Sequence, residues 1–233
     1  MTDHNRARNA WDEVTSIHGR SPSDSIELGP SASYQYRVDP KHLCFVLSRY
    51  KFCSKSLAGK ARVLEVGCGD AFGTPIVAQA VTAMVGIDWD SALIEGNKRR
   101  LSFLSNCTFK YHDIVAEPLS IADSEKFDAV FSLDVIEHVE PQMEQTFMRN
   151  CCDVLKPGGV CIVGTPNVTA DAYASSSSKA GHINLKDADG LMQLMANYFE
   201  AVFLFSMNDE VVHTGFYPMA HYLLALGVGK KKG

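Results

Sequence analysis

The sequence predicts an α/β fold, a doubly wound and mostly parallel sheet with helices on both faces. Three observations predict it. Residues 63–73, VLEVGCGDAFG, join a short apolar run to a loop with glycines at 67, 69 and 73. A second apolar run ends in Asp88, nineteen residues after Gly69. The same phrase, an apolar run closed by an acid, recurs at Asp113 and at Asp134. Strands buried on both faces read as such uninterrupted runs, and a doubly wound sheet offers its ligands the residues just beyond the strands' carboxyl ends.

Residues 1–39 stand outside this pattern. Ser21-Pro22-Ser23-Asp24-Ser25 and Gly29-Pro30-Ser31 are rich in breakers, which predicts loop with one or two short helices. Asp39 then caps a helix that begins at Pro40, with Leu43, Val46, Leu47 and Tyr50 on its buried face. The first strand carries Val63, Leu64 and Val66. Its glycine loop lets the backbone turn sharply and leaves a ligand room to lie against it. The dinucleotide fingerprint requires a third glycine where Phe72 stands, which argues against a pyrophosphate seated on a helix N-terminus. Glu65, just before the loop, would repel phosphates and suits a ligand with a cationic group.

Val85 and Ile87 predict a second strand ending at Asp88. An acid at this spacing and place accepts both hydroxyls of a ribose, with Trp89 beside the base, while Asp90 caps the next helix. Residues 107–114, CTFKYHDI, make a third strand with Asp113 past its end, where a plain turn role is also open. Phe127 to Leu133 is the fourth strand, and Asp134, Glu137 and His138 follow it onto the ligand face. Lys156-Pro157-Gly158-Gly159 reads as a hairpin-like break before a fifth strand, Val160 to Val163, closed by Thr165-Pro166-Asn167. Ser175 to Ser178 reads as a mobile loop, followed by a helix from Asp187 to Tyr198. Ala201 to Phe205 and Ala220 to Val228 are the last strands, with a plain loop at 208–214.

With these residues in place, the chain resembles the class I S-adenosylmethionine-dependent methyltransferases, of whose first motif E-V-G-C-G is a common form. The resemblance runs from about residue 40 to the C-terminus. It implies a Rossmann-like, seven-stranded sheet whose last, antiparallel strand lies beside the sixth. Residues 40–233 would be the methyltransferase domain, with 1–39 as a lid segment. The implied cofactor is S-adenosyl-L-methionine. Gly67, Cys68 and Gly69 would lie against its methionine part and Glu65 near its amino group. Asp113 would meet the adenine amino group, the Ile114 amide would face a ring nitrogen, and Leu133 would border the sulfonium. Polar groups available to the lid are Tyr34, Gln35, Arg37, His42 and Arg49, where an arginine suits the cofactor carboxylate and a solvated helix face is the open alternative for each.

The acceptor side follows from the connection after the fifth strand, which covers the acceptor in that family. His182 is the first choice for a catalytic group and His138 the second, since imidazole takes a proton near neutrality. Either histidine has an alternative as a structural hydrogen-bonder. Asp134-x-x-Glu137-His138 with His182 also resembles the metal pattern of small-RNA 2′-O-methyltransferases, and more loosely that of quinone-biosynthesis O-methyltransferases. It departs from the RNA enzymes at Asp134, where they carry glutamate, and in lacking a second histidine near His182, so no resident metal is expected. The expected reaction is O-methylation of a small-molecule or glycan-like acceptor; a non-catalytic cofactor-binding subunit is the alternative.

Composition is consistent with this. A chain of 233 residues suffices for one large core. The net charge of −5, with basic runs only at Lys98-Arg99-Arg100 and Lys230-Lys231-Lys232, offers no nucleic-acid face. Seven cysteines without Cys-x-x-Cys spacing and no leader-like segment point to a reducing cytoplasm. Cys44, Cys53, Cys107 and Cys161 read as small buried hydrophobes, and Cys68 as a matter of size.

Overall fold

The structure, a computed structural model, describes residues 3–18 and 25–231. Eight strands form one sheet: β1 (Arg62–Val66), β2 (Ala83–Asp88), β3 (Cys107–Tyr111), β4 (Phe127–Leu133), β5 (Leu155–Pro166), β6 (Phe199–Asn208), β7 (Val211–His213) and β8 (Tyr222–Lys230). Their order is β3-β2-β1-β4-β5-β8-β6-β7. The first five pair in parallel, and β8 runs antiparallel between β5 and β6. The helices are α1 (Asp3–His18), α2 (Pro30–Val38), α3 (Pro40–Ser56), α4 (Thr74–Ala78), α5 (Ser91–Arg100), α6 (Glu144–Asp153), α7 (Ser176–Gly181) and α8 (Ala188–Ala196).

The uninterrupted apolar runs have the predicted cause. Val63 packs into one core with Tyr50, Met84, Phe131 and Tyr222, while its neighbour Leu64 packs into another with Ile87, Val130 and Phe147. A strand covered on both sides must be apolar at odd and even positions alike, and each fully buried large side chain contributes roughly 1.5–3 kcal/mol. Because the chain builds β1 to β3 outward and then crosses back to β4, the order reverses between β1 and β4. The strand tips diverge there, and a crevice opens.

Several expectations are corrected. Residues 211–213 form β7, a short hairpin partner of β6, so the sheet has eight strands and not seven. Lys156 to Gly159 do not break β5: the register shifts between Phe127 and Ala129, so these residues bulge within one strand, with Gly158 at φ 74°. The serine run is helical, since Ser175 caps α7 by accepting from the Ser178 amide. The N-terminal segment includes a helix of 16 residues, longer than foreseen; Pro22, Ser23 and Asp24 lie outside the described residues. Asp39 stands at the N-cap of α3 but makes no side-chain cap bond, whereas Asp90 caps α5 through the Ala92 and Leu93 amides as expected. Cys44 is exposed, not buried. Among the described residues no helix is long and apolar enough to cross a membrane.

Candidate active site

A cleft of about 280 Å³ opens at the tips of β1 to β4, lined by Val66, Gly67, Ile87, Asp88, Trp89, His112 to Val115, Val135, His138 to Glu140 and Met143. The glycine loop shapes one wall. Gly67 has φ 73°, and a Cβ there would stand 2.3 Å from Val135 Cγ2, so only glycine fits. Gly69, at φ 52°, has nothing within 4 Å of the place where a Cβ would go, and its backbone faces open space. Cys68 is buried against Asn97, with its thiol pushed up by burial, then by Glu65 and Asp88; it fills space and is not a nucleophile.

Asp88 joins the loop to the cleft. Its Oδ2 accepts from the Gly69 amide at 2.8 Å and its Oδ1 from the Asp90 amide at 2.9 Å. Each oxygen keeps a further lone pair for a ligand hydroxyl. Asp113 Oδ1 accepts from the Val115 and Ala116 amides, the turn alternative, while the residue still lines the cleft beside Ile114. Trp89 lines the cleft and is 70% exposed, so one ring face is open to a ligand.

Of the residues expected to hold the cofactor, Glu65, Cys68, Gly69 and Leu133 do not line the cleft. Glu65 is 2% exposed, and its oxygens are held by the Tyr50 hydroxyl at 2.8 Å and the Thr74 hydroxyl at 2.7 Å. Burial pushes its carboxyl up to about 7 against those two hydrogen bonds. It braces the loop from within the core. Leu133 is buried against the place where Gly164 leaves room for it, not in the cleft wall.

On the far side of the β4 tip the structure brings both histidines together. The rings of His138 and His182 stand 5.2 Å apart, edge to face. The Ile183 and Asn184 amides both donate to the Glu137 carbonyl, which pins the α7–α8 connection to the β4 tip. Lys186 reinforces the pin through Glu144 and Asn184. His138 Nδ1 lies 2.8 Å from the Gly181 carbonyl. A carbonyl only accepts, so Nδ1 is the donor in this contact and Nε2 is the ring nitrogen left for another partner. His182 is held down by burial and then by His138, which favours its neutral form. Glu137 is fully buried: Oε2 accepts from the Thr165 hydroxyl, Oε1 has no partner, and burial with the nearby Asp134 pushes its carboxyl up to about 8. One ligand atom each of Glu137, His138 and His182 falls within 4.8 Å of the others.

Arg49 was one of several polar groups assigned to the lid, and its environment gave no signal in the sequence. It is buried on α3, its Nη1 donates to both oxygens of Asp134 at 2.7 Å, and its guanidinium lies 3.8 Å over the Tyr222 ring. Tyr34 and Arg37 are exposed on α2, and Gln35 and His42 are partly buried. The α2 helix sits on the glycine loop: the Ala32 amide donates to Asp70 Oδ2 at 2.8 Å, and Gly29 leaves the room that this carboxylate needs.

A glycine loop, a ribose-type acid and strand-tip polar groups around one crevice define an α/β protein that binds a nucleoside-bearing cofactor. The chain belongs to the methyltransferase-domain family, which it matches over residues 57–209, and within it to the S-adenosylmethionine-dependent class I type. It is similar to the ubiquinone biosynthesis O-methyltransferase of Stutzerimonas stutzeri, 35% identical over 120 residues that cover 51% of this chain and 50% of that protein. The human mitochondrial ubiquinone biosynthesis O-methyltransferase is 33% identical over 115 residues, 48% of this chain and 31% of that protein. The chain thus spans about half or less of the curated relatives it matches. In fold it is similar to the N-methyltransferase NodS from Bradyrhizobium japonicum WM9, solved with S-adenosyl-L-homocysteine, at TM-score 0.63 and 19% identity over 87% of this chain and 94% of that one. The methyltransferase domain of bacterial CtHen1 superposes at TM-score 0.64 with 15% identity, over 81% of this chain and 98% of that one.

Proposed function

We propose that this chain moves a methyl group from S-adenosylmethionine to a hydroxyl of a small-molecule or glycan-like acceptor. The observation that carries the oxygen assignment is the histidine pair at the tip of β4: His138 and His182 stand 5.2 Å apart, and His138 Nδ1 is engaged by the Gly181 carbonyl, so Nε2 is the nitrogen left to take a proton. The cofactor, when bound, supplies an electrophilic methyl on a sulfonium. The chain's own groups hold its ribose (Asp88), flank its base (Trp89, Asp113, Ile114) and lie along its tail (Gly67, Gly69), while His138 or His182 takes the proton from the acceptor hydroxyl. Helix α2, latched to Asp70, serves as part of a cover. The name O-methyltransferase carried by the ubiquinone relatives supports the same acceptor atom. Seven thiols free of disulfides suit a reducing compartment such as the cytoplasm.

The test is transfer of a labelled methyl to a panel of phenols, sugars, nucleotide-sugars and lipids. Label is expected on a hydroxyl oxygen, with H138A or H182A losing about 10²–10⁴ in kcat. Label found only on nitrogen or carboxyl groups overturns the assignment.

A second reading is favoured by the cluster of Glu137, His138 and His182. The donor set fits a divalent ion: Glu137 Oε1 is buried without a partner and His138 Nε2 is left for another partner. Such an ion would lower the pKa of an acceptor hydroxyl. Calorimetry with magnesium or manganese separates the readings, since the histidine-base reading expects neither heat nor a change of rate with chelator.

A further inference from the structure

We propose that Asn97, backed by Arg100, is a positioning residue: it holds the Gly69 carbonyl so that the Gly69 amide sets Asp88 for the vicinal hydroxyls of the ligand's ribose. The inference rests on reading Asp88 as the acid that meets those hydroxyls, and it gives a task to two residues of α5 that do not line the cleft.

Asn97 lies in the last turn of α5 and is fully buried. Asparagine is a poor residue for a helix interior, and a buried amide without partners is costly. The helix does not use this side chain, since its end is closed by the backbone bond from the Leu101 amide to the Asn97 carbonyl. The side chain is spent on the glycine loop instead. Its Nδ2 donates to the Gly69 carbonyl at 2.8 Å and points at the Cys68 thiol at 3.8 Å, while Oδ1 accepts from Arg100 Nη2. A carbonyl only accepts and a guanidinium only donates, so the network permits this one orientation of the amide. Arg100 Nη2 also donates to the Asp70 carbonyl at 3.0 Å. Gly96 gives that guanidinium its room, for a Cβ there would stand 3.0 Å from Arg100 Nη1. Helix α5 thus grips two successive carbonyls of the loop.

The loop needs such support. Gly69 has φ 52° and Ala71 φ 54°, and Ala71, fully buried, adopts this left-handed conformation at a cost. A Cβ at Gly69 would meet nothing within 4 Å, so packing does not orient that residue. Hydrogen bonds do. Asn97 holds the Gly69 carbonyl, and Asp88 Oδ2 holds the Gly69 amide at 2.8 Å. The second bond works in both directions, because the amide also fixes the carboxylate, whose Oδ1 is held by the Asp90 amide. A shift of Gly69 therefore turns Asp88, and Asp88 is the one of the two that lines the cleft. Hydrogen bonds weaken steeply outside a narrow range of distance and angle, so a carboxylate free to turn loses much of a two-point contact with a diol.

The experiment is calorimetric titration of the full chain with S-adenosylhomocysteine and with its 2′-deoxy analogue, and the readout is the ratio of the two dissociation constants. In wild type the analogue is expected to bind about tenfold more weakly, the scale of one hydrogen bond to a charged group. N97L, which keeps the branching and removes the polar atoms, should shrink that ratio to about two- or threefold, the remnant of a misaligned bond. A side chain that only supported the fold would weaken both probes alike and leave the ratio where it was. If N97L melts too early to titrate, R100M at the half-buried second position should move the ratio the same way by a smaller factor, and R100K should restore part of it. On a D88A background, where the diol has lost its partner, N97L should weaken S-adenosylhomocysteine by less than about a further twofold. An unchanged ratio in N97L, or in R100M where N97L does not fold, overturns the proposal, as does full additivity of N97L with D88A. A wild type that does not distinguish the two probes is a different result: it removes the reading of Asp88, and the proposal with it, before any variant is made.

Discussion

Gly67 and Glu65, two residues apart, show how little space the loop leaves. A Cβ at Gly67 would meet Val135 at 2.3 Å on a backbone with φ 73°, so Gly67→Ala must shift Val135 into the cleft or strain the turn. Loss of measurable S-adenosylhomocysteine binding and a lower melting temperature are expected, seen by calorimetry and by thermal melts. Glu65 yields a pH signature. Its carboxyl is raised from the usual 4.5 to about 7, chiefly by burial. A raised carboxyl binds its proton more tightly in the folded state, so its contribution to stability is fully present below about 4.5 and is lost as pH rises through about 7. In urea melts Glu65→Gln, which carries no such charge, should therefore gain on wild type between pH 5 and pH 8, by a margin on the order of a few kcal/mol. A difference that stays level across that range would contradict the buried-carboxyl account. That Asp88, Trp89, Asp113 and Ile114 line the cleft was legible, because their positions follow from spacing and strand ends. The Arg49–Asp134 pair was not, because its partners are 85 residues apart and no local pattern announces them.

At the scale of elements, α2 is tied to the glycine loop by a specific bond. Asp70, in the glycine loop, accepts from the third amide of α2, the position where an anion also meets the positive end of the helix dipole. Asp70→Ala should cost roughly 1 kcal/mol and expose residues 25–38 to limited proteolysis sooner than the domain core, with the exposed Arg99–Glu27 pair left in place. Unchanged cleavage kinetics would show that α2 is held otherwise. The α7–α8 connection illustrates why a low-complexity run was misread as a loop. Four serines carry no hydrophobic period, yet Ser175 supplies a cap and the following amides are fastened to the Glu137 carbonyl. Strand β7 escaped for a similar reason: three residues give no period, and only the pairing with β6 makes them a strand.

For the whole molecule, cofactor binding and folding should be coupled. The cleft takes walls from the tips of β1 to β4 and from the segment after β4, so a ligand there binds only the folded state. At a ligand concentration of about 100 times Kd the stabilisation is about 2.7 kcal/mol, which for a domain of this size raises Tm by roughly 5–10 °C. S-adenosylhomocysteine in a thermal-shift experiment should produce that rise, and D88A should abolish most of it, because Asp88 holds both the Gly69 amide and the ribose place. A Tm indifferent to ligand would remove the cofactor site from this cleft.

The sequence by itself determined the class of fold, the order of the strands along the chain and which strand-end residues line the cleft. These depend on short-range quantities: apolar runs, glycine positions, and an acid at a fixed distance from a turn. Only the tertiary structure decided that Glu65 is sealed in the core, that His138 and His182 meet at the tip of β4, and that α3 sends an arginine there. Burial and pairing between distant segments set those properties, and nothing in the neighbouring residues encodes them.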